Sequence, residues 1–173
     1  DTFTTIQPAH YVIDDDYRKR KKTPSGVQVW AIGQALQMAA MLESVLDGSR
    51  NRQGVFPELV VFDCHACHHQ MSQEIDLRYQ GRRSVGLPPG YPRFNDANLV
   101  MLRIIANRID PALGQRLAQR TTEFHKSVAG GFDAYQGKAR ELLGVVNEMS
   151  RRAAAHGFSG DDMRALLTGL LDE

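Results

Sequence analysis

"DPALGQRLAQRTTEFHKSVAGG", residues 110–131, decides the class of the fold. Asp110 suits a helix N-cap, and Pro111 suits the first helical position, where its missing N–H costs nothing. Behind them Leu113, Leu117, Thr121, Phe124 and Val128 fall at steps of three and four, one face of a helix. Gly130-Gly131 interrupts the pattern. Phe132, Tyr135, Ala139, Leu142, Val146 and Met149 then form a second long stripe, which ends near His156-Gly157. Ser159 and Asp162 have capping-box spacing, with Asp in place of the usual Glu, ahead of Met163, Leu166, Leu167 and Leu170.

The same period extends toward the N-terminus. Asn95 or Asp96 caps a helix through Leu99, Leu102, Ile105 and Ile109. Ser25 caps one through Val29, Ile32, Leu36, Ala39, Leu42 and Leu46, which Gly48 is expected to end. Residues 1–25 hold Pro8, an acidic run (Asp14–Asp16), a basic run (Arg18–Lys22) and Pro24, with no apolar stripe, so an irregular arm is expected. "ELVVFDCHACHHQM", residues 58–71, reads as about four turns of helix following Pro57. "RYQGRRSVGLPPGYPR", residues 78–93, is a loop. No alternating strand pattern or tandem repeat occurs. The expectation is an all-α, bundle-like domain with helices antiparallel across short loops. Residues 1–94 would carry the chemistry, and residues 95–173 would form a packing or docking region.

The 173 residues can bury a core unaided. Lys and Arg total 21 against 20 Asp and Glu, so no global charge points to a polyanion, and nucleic acid is not an expected partner. Two cysteines are too few for a disulfide scaffold. The most apolar helix, Ala31–Leu46, is interrupted by Gln34, Gln37 and Glu43, so no membrane span is expected. A chain that starts at Asp1 rather than Met reads as a mature protein after leader removal or as part of a longer chain.

Both cysteines lie in "VFDCHACHHQ", residues 61–70. Cys64, Cys67 and His68 make C-x-x-C-H, the pattern of covalent c-type haem attachment. Residues three apart on a helical turn point to one side, so each thiol can join one haem vinyl group. His68 follows directly and can bind the iron from below. A structural zinc site fits less well, because its second ligand pair would be the crowded His65 and His69 or the distant His125 and His156. A thioredoxin-like dithiol expects a βαβ context that this chain lacks.

The stretch "VWAIGQALQMAAMLESVLDGSRNRQGVFPELVVFDCHACHHQMS", residues 29–72, resembles the C-terminal haem region of multihaem c-type cytochromes. There a W-A-x-G-Q helix precedes P-E-x-x-x-x-D-C-x-x-C-H-H. The matching residues are Trp30, Ala31, Gly33, Gln34, Pro57, Glu58, Asp63, Cys64, Cys67, His68 and His69. The resemblance spans roughly residues 8–90 and is specific only around the haem motif. The family also has an upstream G-H-P motif whose His is an axial ligand. "PAHYV" puts His10 near that point, without the flanking Gly and Pro. Family members carry several C-x-x-C-H motifs and this chain carries one. The resemblance therefore implies a single-haem relative, or a chain whose companion haems sit on a missing segment or another subunit.

A haem c iron held by His68 needs a distal ligand or an open position. His10 is the favoured candidate on the resemblance and its extended context. His125, beside Phe124 and Lys126, is a lesser one and otherwise reads as a helix histidine at the solvent edge. His156 reads as a helix-end cation, and Met38, Met71 and Met101 chiefly as core filler. His69 reads chiefly as an exposed polar residue. Trp30 could wall the haem. Gly33, with Ala35, Ala39 and Ala40, would give a thin helix surface for a haem or a second helix. Arg78 and Arg82 could pair with the propionates.

The expected function is one-electron transfer in the periplasm or another extracytoplasmic space, with redox proteins or other cytochrome subunits as partners. Bis-His ligation would give a lower potential than His/Met. The rival expectations are a five-coordinate haem sensor or catalyst and a zinc-stabilised helical interaction domain.

Overall fold

The computed structural model describes residues 14–21, 23–51, 58, 61–63 and 93–171. About 84% of these are helical and none lies in a named strand, so the all-α class holds. The helices are α1 (Asp15–Arg20), α2 (Gly26–Leu46), the short α3 (Gly48–Asn51), α4 (Ala97–Ile109), α5 (Pro111–Ser127), α6 (Phe132–Ala155) and α7 (Gly160–Leu171).

The capping residues act as their chemistry requires. Ser25 Oγ accepts from Gln28 N–H (3.1 Å), and Asp110 accepts from Ala112 N–H (2.9 Å) ahead of Pro111. Ser159 and Asp162 complete a reciprocal box: Ser159 N–H donates to Asp162 (2.7 Å), and Asp162 N–H donates to Ser159 Oγ (3.1 Å). Gly131 begins α6 at φ 84°, a left-handed conformation that suits glycine.

Helix directions follow from which residues meet. Gln28 at the start of α2 donates to the carbonyls of Ala154 (2.8 Å) and His156 (3.3 Å) at the end of α6. Gln136 near the start of α6 donates to Leu46 O at the end of α2 (3.4 Å). The two helices are therefore antiparallel. Between α5 and α6, Arg116 pairs with Glu148 (2.8 Å), Arg120 with Glu141 (2.6 Å) and Glu123 with Lys138 (3.2 Å), again antiparallel. One core runs through these helices, including Ala35, Met38 and Leu42 of α2, Leu102 and Ile105 of α4, Leu117 and Phe124 of α5, and Leu142, Val146 and Met149 of α6. A side chain at Gly114 would collide with Asn107, so glycine sets how tightly α4 and α5 can meet.

Three local expectations need correction. The arm is not wholly irregular: Asp15–Arg20 is helical, capped by Asp14 accepting from Tyr17 N–H (2.7 Å). Its acids occupy the first turn and its bases the last, which favours the helix dipole. Asp47, not Gly48, caps α2, and Gly48 opens the next turn instead. The helix expected over 58–71 does not cover Phe62 and Asp63. Phe62 forms an antiparallel bridge with Phe94, Asp63 N–H donates to Arg93 O, and Asn95 N–H donates to Val61 O, both at 2.8 Å. Long-range backbone pairing wins over local helical pattern at these two residues.

By length and composition α2 is apolar enough to cross a membrane, with mean hydropathy 1.3, a test that core helices also pass. Ala31, Ala35, Met38, Ala39, Leu42 and Val45 bury one face of it in the core.

Candidate functional site

Cys64, Cys67, His68, His10, Arg78 and Arg82 lie outside the described residues, as does Met71. What the structure defines is a neck, residues 61–63 paired with residues 93–95. Asp63, directly before Cys64, is hydrogen-bonded to Arg93. Asp63 and Arg93 thus lie side by side on the helical body.

The neck rests on a buried cluster. Phe94 is 1% exposed and packs edge-on against Phe124, centroids 5.1 Å apart. Phe124 stacks on Tyr135 at 4.8 Å. Burial pushes the Tyr135 phenol up from its ordinary range. Two residues beyond Phe94, the Asp96 carboxylate is 1% exposed and pairs with the Arg93 guanidinium at 3.0 Å. Asp96 Oδ2 also lies 4.0 Å from His125 Nε2.

His125 is not the solvent-edge histidine that Lys126 suggests; it is 1% exposed. The ring is enclosed by Asp96 and by the backbone of Phe94 and Thr121. Burial lowers its pKa; Asp96 opposes this shift, Arg93 adds to it, and the backbone of Phe94 and Thr121 opposes it more weakly. The ring is therefore held toward its neutral form, the form that ligates metals. Thr121, one turn earlier, is satisfied by donating to Leu117 O (2.8 Å).

The other candidates disperse. Trp30 is half-buried and packs against the core. Gly33 is exposed, and among the described residues nothing lies within 4 Å of where its side chain would be. Ala35 and Ala39 face the core whereas Gly33 and Ala40 face outward, so the expected thin surface is split between two faces. Met38 is core, as expected of a methionine at helical spacing. His156 caps α6, with Nε2 3.7 Å from Asp162. Among the described residues no group of three or more His, Cys, Asp or Glu side chains could hold a metal ion.

Sequence reasoning missed Arg93 and Asp96. Arg93 reads as the end of a Gly/Pro-rich loop and Asp96 as a cap, and Asp96 makes no side-chain cap bond. The pairing of residues 61–63 with 93–95 brings Arg93 beside Asp63. Compared with family models, curated proteins and solved structures, the chain matches none.

Proposed function

We propose that this protein is a c-type cytochrome with one haem attached through Cys64 and Cys67, with His68 as an iron ligand, and that it transfers single electrons. The observation that carries the reading is the C-x-x-C-H spacing itself, which suits two thioethers and an adjacent imidazole. The bonded neck at Asp63 supports it, because a covalently held group would then be anchored against a packed helical body. When bound, the haem supplies an Fe(II)/Fe(III) couple. The chain's own residues supply attachment, iron ligation and a dry surround that sets the potential. An extracytoplasmic location and redox-protein partners belong to the same proposal, as does kinship with multihaem cytochromes.

The test is to produce the protein in a host with haem maturation, extract it with acidified acetone, and record the pyridine haemochrome spectrum. One c-type haem per chain remaining on the polypeptide is expected, together with its loss in a Cys64→Ala, Cys67→Ala double variant. A colourless wild-type polypeptide overturns the proposal.

A further inference from the structure

We draw no further inference here: the strongest candidate, the exposed apolar face of α2 at Gly33, Leu36 and Ala40, carries nothing because no described residue shows what covers it.

Discussion

Along the α5–α6 pair, Arg116, Arg120, Glu123, Lys138, Glu141 and Glu148 form a lattice of ion pairs at the surface above an apolar seam. At the neck beneath Asp63 the arrangement is inverted. Arg93, Asp96 and His125 lie inside, with side-chain exposures of 11%, 1% and 0%. The first region keeps its charges where water screens them and gains little from each. The second takes charge and an imidazole out of water, a cost that the Arg93–Asp96 pairing offsets. The contrast sets a screened surface lattice against a buried polar cluster beside the Phe62–Phe94 bridge.

Phe124 belongs to both regions, since it touches Phe94 on one side and Tyr135 on the other. Its ring is fully buried. Phe124→Ala should cost about 3–5 kcal/mol, the range for buried aromatic truncation. Chemical denaturation followed by circular dichroism measures it. A cost near that of a surface change would mean that the two regions do not share a core.

The buried pair allows a sharper cut. Asp96→Ala leaves the Arg93 guanidinium without its carboxylate and should destabilise by about 3 kcal/mol or more. Replacing both, as Arg93→Met with Asp96→Leu, should recover much of that loss, because an apolar pair is often no worse than a buried ionic one. A double-mutant cycle on denaturation midpoints reads the coupling. Additive effects would show that the neck behaves like the α5–α6 surface after all.

Asp162 stands between the extremes. It is 6% exposed, yet it accepts from Ser159 N–H, the Ser159 hydroxyl and Arg108. Those bonds, the Ser159 backbone first, hold its carboxyl well below the ordinary carboxylate range. Ser159→Ala removes the hydroxyl of the box while keeping the backbone N–H, and should cost about 1 kcal/mol. Thermal unfolding and amide exchange at the start of α7 are the measurements. An unchanged exchange rate would assign the work to the Ser159 backbone N–H and Arg108.

What the sequence makes legible divides along the same line. The stripes of α2, α4, α5 and α6, and the caps at Ser25, Asp110 and Ser159, depend on residues three or four apart, so periodicity finds them. The six-residue α1 lacks an apolar stripe and depends on its Asp14 cap and charge order instead. The bridge of Phe62 with Phe94 joins positions far apart in the chain, and "ELVVF" carries no local mark that separates strand from helix. The burial of His125 follows from that bridge. A helix wheel puts residue 125 beside Phe124 at the edge of the apolar face, and the returning residues Phe94 and Asp96 lie against it. The C-x-x-C-H spacing is visible in the sequence because it is local. The buried grouping of Arg93, Asp96 and His125 is not, because non-local pairing assembles it.

The smallest effect expected lies in the surface lattice and shows itself through pH. Glu123 accepts from Gln119 (2.8 Å), Arg120 (2.7 Å) and Lys138 (3.2 Å), and these bonds lower its pKa to about 2 from the ordinary 4.5. Between those values the unfolded chain takes up a proton that the folded one refuses. The associated stability is therefore complete above pH 4.5 and falls away as the pH drops toward 2. Glu123→Gln removes the titrating group, so the stability curve of the variant should be flatter than that of wild type across this window and nearly coincide with it in high salt. Comparing urea midpoints of the two proteins from pH 6 down to pH 2.5, at low and high ionic strength, decides it. His125 moves in a different window: its pKa is lowered by burial, so charging it opposes the fold as the pH falls below about 6.5. Acid loss that begins near pH 6, persists in Glu123→Gln and resists salt would locate the sensitive group at the neck. Acid loss confined below pH 4.5 and weakened by salt would locate it on the surface of α5 and α6.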